Sequence, residues 1–256
     1  MTSPDAVVRL HAFSTGSMTT ALGGFLEGEQ GDITFPVPVY VIEHPSGLTI
    51  VDTGLHPDLA TSDERLQRLR NSFSAHLPDD GSGSVKPLLA AHGFDVHEVR
   101  NVILTHLHFD HTGGLCEVPN ATVVVQADEW AGRQNADGRP TPGYFADEFD
   151  LGHDRLEVDG DHDLFGDGSV IMLRTDGHTA GHQSVRVRTE TGTFLLCGDC
   201  CYLRRTLDDE HLPPFAFDRD RQLASIRRVA DEERSGTTLI FGHDPDQWPE
   251  IEGIVA

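Results

Sequence analysis

The chain alternates short apolar runs with polar, glycine-punctuated stretches, and the period of each run sets the element expected there. Val37 to Glu43 and Leu48 to Asp52 flank Pro45-Ser46-Gly47 and predict a β-hairpin. Ser62 to Phe73 predicts a helix. Ser62 can cap it, Asp63 and Glu64 suit its first turn, and Leu66, Leu69 and Phe73 share a face. Asp79 to Ser84 reads as a loop, and Ser84 to His92 as a short helix ended by Gly93. Asn101 to Thr105 and Val123-Val124-Val125 read as buried strands, the second followed by a helix around Asp128 to Gln134. Residues 135 to 168, rich in Gly, Pro and Asp, predict an excursion around the rim of a site. Strands follow at 170–173, 184–188 and 193–196, then a helix capped by Asp218 that runs through Arg234 and ends at Gly236. Strands followed by helices in both halves predict an α/β fold, an αββα sandwich with two sheets face to face and helices outside. No linker interrupts the pattern, so residues 1–256 are expected to form one domain.

The strand Asn101 to Thr105 ends in His106-Leu107-His108-Phe109-Asp110-His111, followed by the turn Thr112-Gly113-Gly114. Three imidazoles and a carboxylate in six residues at a strand end make a poor core and a good metal cradle. Three further candidate ligands each stand beside glycine after an apolar run: His178 after Val170 to Leu173, Asp199 after Phe194 to Cys197, and His243 after Thr238 to Phe241. Any one of these alone reads as an ordinary loop residue; their recurrence is the signal.

In that order these segments resemble the metallo-β-lactamase superfamily nearly end to end, and Val51-Asp52-Thr53-Gly54 matches its early V-D-T-G signature. The stretch His106 to Gly114, Gly181-His182-Gln183-Ser184 and Phe241-Gly242-His243-Asp244 are similar to the N-acyl homoserine lactonases of that superfamily, as is Tyr202, three residues after Asp199. Asp176 departs from the pattern, since relatives usually carry proline before the Gly-His.

The resemblance implies that His106, His108 and His178 hold one divalent metal ion, that Asp110, His111 and His243 hold another, and that Asp199 bridges them. It implies a metal-dependent hydrolase that opens the ring of an N-acyl homoserine lactone through a metal-bridging hydroxide. Tyr202 would donate to the carbonyl oxygen, and Asp110 would protonate the leaving alkoxide. Zinc is the expected metal, with cobalt, manganese or iron able to substitute. Asp52, His182 and Asp244 are candidates for orienting the ligands, and Met18, Leu22, Phe25 and Phe73 for lining an acyl groove. A pyridoxolactone-like ring, a glyoxalase II type thioester or a β-lactam are alternative substrates. A metal-binding module without turnover is the alternative of another class, against which the full ligand set argues. Histidine at 108 argues against the diiron oxygen-reducing branch, which has glutamate there. Aspartate at 199 argues against the zinc β-lactamases that use cysteine.

Composition narrows the partners. Lys+Arg 19 against Asp+Glu 42 gives a net charge of -23, which disfavours nucleic acid and anionic membranes and leaves a small lactone as the expected partner. Nothing here bears on homodimerisation, which stays open. Four unevenly spaced cysteines suit small packed thiols in a reducing cytoplasm rather than a disulfide framework. Met1-Thr2-Ser3-Pro4-Asp5 shows neither the basic nor the apolar stretch of a signal peptide, and no run approaches a membrane span.

Overall fold

Most strands of the chain carry apolar side chains on both faces, and this requires a covering layer on each side of a sheet. The computed structural model describes residues 8–69, 72–78, 82–253 and 256. The first third contains β1 (Arg9–Ala21), β2 (Asp32–His44), β3 (Gly47–Val51), α1 (Asp63–Leu69), β4 (Ser74–His76) and α2 (Val85–Ala91). Then come β5 (Val99–Ile103), α3 (Phe109–Thr112), β6 (Thr122–Gln126), α4 (Ala127–Ala131), α5 (Ala146–Phe149) and β7 (Arg155–Val158). The last part contains β8 (His162–Asp163), β9 (Val170–Arg174), β10 (Gln183–Arg188), β11 (Thr193–Leu196), α6 (Arg204–Asp208), α7 (Arg219–Arg234), β12 (Thr238–Ile240) and α8 (Trp248–Ile251).

Among the described residues, seven strands form one sheet in the order β4-β1-β2-β3-β5-β6-β7, and five form a second in the order β12-β11-β10-β9-β8. Tyr40, Ile42, Val51, Ile103 and Val124 of the first sheet pack on Val170, Met172, Val185, Val187 and Ile240 of the second. Because successive side chains point to opposite faces, their neighbours Val39, Val41, Val102, Val123 and Val125 turn outward onto Val85, Leu88 and Leu89 of α2. On the far side Leu173, Leu195 and Leu239 meet Ile226 and Val229 of α7. The layers are therefore helix, sheet, sheet, helix, as the strand pattern predicts.

β3 and β5 are parallel, and so are β11 and β12, while β9 and β11 are each antiparallel to β10. The loops after β5, β9, β11 and β12 carry the candidate ligands. Gln183 joins the sheets beside them: its amide donates to Thr105 O (2.9 Å) and its side chain to Leu104 O (2.8 Å).

Some boundaries differ from the sequence reading. The helix expected over Ser62–Phe73 spans Asp63–Leu69, residues 70 and 71 lie outside the described residues, and Phe73 stands beyond it. Residues 79–81 of the expected loop also lie outside the described residues. The helix expected to reach Gln134 stops at Ala131. There Asn135 Oδ1 accepts from the Asp137 and Arg139 amides (3.0 Å each), a local turn that competes with helix. The excursion 135–168 contains α5, β7 and β8, and β7 extends the first sheet beside β6. β1 lies outside the predicted elements, because Ser14, Thr15, Gly16 and Ser17 interrupt its apolar pattern where its ladder with β2 slips.

Candidate metal centre

The His106–His111 segment leaves β5 extended and closes into α3, a single turn that carries Asp110 and His111. Its position is fixed by the V-D-T-G loop: Thr53 N donates to His111 O (2.8 Å). The two loops touch so closely that a Cβ on Gly114 would lie 2.3 Å from Thr53 O, so only glycine fits. Asp52 adopts a left-handed conformation (φ 56°), stabilised by three hydrogen bonds. Its carboxylate accepts from Thr105 N (2.8 Å), Thr105 Oγ1 (2.8 Å) and His111 Nδ1 (2.7 Å).

All seven predicted ligands converge in two groups, His106, His108, His178 and Asp199, and Asp110, His111 and His243. In the first, His108 Nδ1 lies 2.8 Å from His106 Nε2 and 3.1 Å from His178 Nε2. Asp199 faces both groups. Its Oδ2 is 3.6 Å from His106 Nε2 and 3.4 Å from His178 Nε2. Its Oδ1 is 3.3 Å from His111 Nε2 and 3.1 Å from His243 Nε2. Asp110 Oδ2 completes the second group at 3.8 Å from His111 and 3.7 Å from His243.

The other nitrogen of each imidazole is committed elsewhere, which fixes the tautomer. Thr105 Oγ1 donates to Asp52 and so accepts from His106 Nδ1 (3.1 Å). His108 donates to the Pro142 carbonyl, and His243 Nδ1 to Pro36 O (2.9 Å). His178 Nδ1 meets the Tyr202 hydroxyl at 3.2 Å, and His111 Nδ1 meets Asp52. In its neutral form each ring thus turns an unprotonated nitrogen inward. Bare nitrogens 2.8–3.1 Å apart repel unless a cation lies among them, and buried His111 Nε2 and Asp199 Oδ1 have no hydrogen-bond partner. The donor set is nitrogen and oxygen only, and it fits two divalent ions.

The two groups differ in charge. Burial, reinforced by neighbouring imidazoles, holds His106 and His178 well below the ordinary histidine value, so both stay neutral donors. Burial alone would do the same to His111 and His243, but the Asp199 and Asp110 carboxylates, joined at His111 by Asp52, outweigh it and raise both. Burial would raise the Asp199 carboxyl, yet His111, His243 and His106 hold it well below the usual range.

The centre opens into a cavity of about 750 Å³ whose wall includes Asp110, Asp199, Tyr202 and His243 together with Phe25, Phe35, Phe73, Phe109, Phe145 and Phe215. Tyr202 is buried and stacks on Phe25 (4.4 Å between ring centres). Of the four predicted groove residues, Phe25 and Phe73 line this cavity. Met18 does not, being fully buried among Phe35, Val37 and Leu55, and Leu22 packs at the edge of the same cluster.

Asp52 holds a candidate ligand directly and His182 holds the turn that carries another, whereas Asp244 acts elsewhere. His182 Nε2 accepts from Cys200 N (3.2 Å) and its Nδ1 donates to Thr175 O (3.1 Å), which brackets the Asp199 turn, and its ring lies beside that of His106, with centres 5.3 Å apart. Asp244 accepts from the Arg204, Asp246 and Gln247 amides, a turn cap. Asp176, in place of proline, pairs with Arg174 (2.7 Å) and Arg221, which ties the His178 loop to α7. Cys116, Cys197, Cys200 and Cys201 are free thiols, so Cys200 and Cys201 form no vicinal disulfide. Sequence reasoning missed the roles of Thr105, Glu129 and Tyr144, which stand in no motif, and that of Gln183, whose motif does not mark what it holds.

A family model described as the metallo-beta-lactamase superfamily matches residues 32–243. The chain belongs to that superfamily. Within it, N-acyl homoserine lactonase AttM of Azorhizobium caulinodans is 32% identical across 96% of this chain and 96% of its own length. N-acyl homoserine lactonase AiiA of Bacillus thuringiensis subsp. kurstaki is 31% identical across 84% of each. The superfamily fold is also shared with a solved N-acyl homoserine lactone hydrolase that holds N-hexanoyl-L-homoserine at its catalytic metal centre. That structure matches with a TM-score of 0.83 at 24% identity, covering 97% of this chain and 98% of the other. A second, AidC, a dizinc quorum-quenching lactonase, matches with a TM-score of 0.69 at 15% identity, over 94% and 88% of the two chains.

Proposed function

We propose that this superfamily member is a single-domain, two-metal hydrolase that opens the lactone ring of N-acyl homoserine lactones. The observation that carries the proposal is the placement of Asp199, one oxygen toward each ligand group. Relatives 31–32% identical that are named as N-acyl homoserine lactonases support the substrate class. So does an aromatic cavity large enough for an acyl chain.

In this reading His106, His108 and His178 hold one ion, Asp110, His111 and His243 the other, and Asp199 both. Zinc is the resident metal we propose, since imidazole and carboxylate donors suit it and a structural neighbour is a dizinc lactonase. When bound, the ions supply Lewis-acid polarisation of a carbonyl and acidify a water. Tyr202 positions the ring. Its oxygen accepts from His178 Nδ1, which leaves its own O–H to donate to the substrate carbonyl oxygen at the cavity wall. Asp110, in the same wall, takes a proton from the attacking water and hands it to the departing ring oxygen as the ring C–O bond breaks, so lactone and water become a hydroxy acid. The aromatic wall holds the acyl chain and excludes water. The free thiols fit a reducing cytoplasm, and among the described residues no helix is long and apolar enough to cross a membrane. The net charge of -23 tolerates a neutral lactone and disfavours nucleic acid.

The test is acid release in a pH-stat from N-acyl homoserine lactones, a thioester and a β-lactam, with metal content measured on the same sample. Lactone turnover well above the other two with two ions per chain is the expected result. Two ions and no lactone turnover would overturn the substrate assignment.

A further inference from the structure

Glu129 is fully buried on α4, outside the cavity wall, and all four of its near partners are hydrogen-bond donors. Its Oε1 accepts from Leu107 N (2.9 Å) and from the Tyr144 hydroxyl. Its Oε2 accepts from Thr179 Oγ1 (2.7 Å) and Gly181 N (2.9 Å). Leu107 lies between His106 and His108, and the Thr179–Gly181 turn directly follows His178. One carboxylate therefore joins the two loops that supply the three histidines of the first ligand group. The turn is pressed against the start of α4, since a Cβ on Gly181 would lie 2.3 Å from Glu129 N. Tyr144 adds a third contact, its ring edge-on to His108 with centres 5.2 Å apart.

We infer that Glu129 is a positioning residue that sets the separation between the His106–His108 segment and the His178 turn, and so governs retention of the ion held there. The inference rests on the two-ion reading above. A carboxylate is required because each oxygen faces a backbone N–H, Leu107 on one side and Gly181 on the other. An amide in its place must point its NH2 at one of them whichever way it flips, leaving that strap broken and two donors opposed. The second group has its own anchors, Asp52 on His111 and Pro36 on His243, and Glu129 touches neither. The effect of the substitution is therefore one-sided.

The experiment compares wild-type protein with Glu129→Gln, loaded with zinc or cobalt and titrated with a chelator. We expect wild type to hold two ions. Glu129→Gln should release one of them at about 10- to 100-fold lower chelator strength while the other is unchanged. The visible spectrum of cobalt at the weakened position should shift, and kcat should fall with little change in KM. Tyr144→Phe and Thr179→Val each remove one donor and keep the carboxylate, so each should weaken the same ion by less. These two variants carry the test if Glu129→Gln does not fold, as judged by thermal unfolding of the metal-free proteins. Two ions held as tightly as in wild type in Glu129→Gln, or in both milder variants, would overturn the role of Glu129. Fewer than two ions in wild type would instead overturn the two-ion reading.

Discussion

Around His106, His108 and His178 the outward ring nitrogens meet uncharged partners, a threonine hydroxyl, a backbone carbonyl and a phenol. Around His111 and His243 the surroundings are anionic: Asp52 grips one ring directly, and Asp110 and Asp199 face both. Chemically similar ligand groups are thus stabilised by different means. The neutral group depends on loop placement, where hydrogen bonds fix geometry without adding much field. The anionic group draws a cation by charge, and geometry follows. If both groups hold ions as proposed, one should be lost when the scaffold loosens and the other when a charge is removed.

The largest effect is expected where the groups meet. Asp199→Ala should release both ions and cut lactone turnover about a thousandfold or more, the loss of several kcal/mol of charge stabilisation. Elemental analysis and a melting curve check it, with a lower Tm expected because bound metal stabilises the folded state. Retention of both ions would break the comparison at its root.

Asp52→Asn sharpens the comparison from the anionic side. An amide cannot accept from Thr105 N, Thr105 Oγ1 and His111 Nδ1 together. The ion held by Asp110, His111 and His243 should weaken about 10- to 100-fold while its neighbour stays, the mirror image of Glu129→Gln. Chelator titration reads both variants, and loss of the same ion in each would show that the groups are not independent.

A more modest change is expected from Tyr202→Phe, which leaves every inward-facing ligand atom in place. Both ions should remain, and kcat/KM for a homoserine lactone should fall roughly 10- to 100-fold, because a single donor adds to stabilisation supplied mainly by the ions. Unchanged kinetics in fully loaded protein would remove the tyrosine from the reaction.

The smallest effect on the site itself is expected at Glu148, which serves as a control. Glu148 is buried beside Arg65 (2.5 Å) and is not among the candidate ligands; burial pushes it up to about 7, with Arg65 opposing. Its folded value lies above its unfolded one, so the neutral carboxyl contributes stability that is complete below about pH 4.5 and lost as pH rises through 7. Wild type should therefore lose on the order of 2–3 kcal/mol relative to Glu148→Gln between about pH 5 and 8. Denaturant melts of the metal-free proteins measure this, and parallel pH curves would contradict it. Metal content should not change.

The chain displayed its candidate ligands openly and hid what holds them. His106, His108, Asp110, His111, His178, Asp199 and His243 were legible because a metal cradle demands those residue types next to glycine at strand ends. The layered fold was legible from apolar runs of strand length. Glu129 was not, because a glutamate in a short helix reads as a solvated surface residue and only the folded chain reveals four donors around it. Pro36 and Pro142 act through carbonyl oxygens, which leave no trace in side-chain identity. Met18 and Phe35 lie on neighbouring strands in register with one another, yet only Phe35 reaches the cavity. Nothing in local spacing separates the two.

Each ligand group takes side chains from the end of β5 in one sheet and from the ends of β9, β11 or β12 in the other. Bound ions would therefore act as rivets across the seam between the sheets, beside the hydrogen bonds that Gln183, Glu129 and His243 make across it. A chain starved of divalent metal relies on these hydrogen bonds and the inter-sheet core to keep this edge shut, so it should open there first and be cut there first by proteases. Metal supply would then govern how long the protein survives in a cell as well as how fast it works.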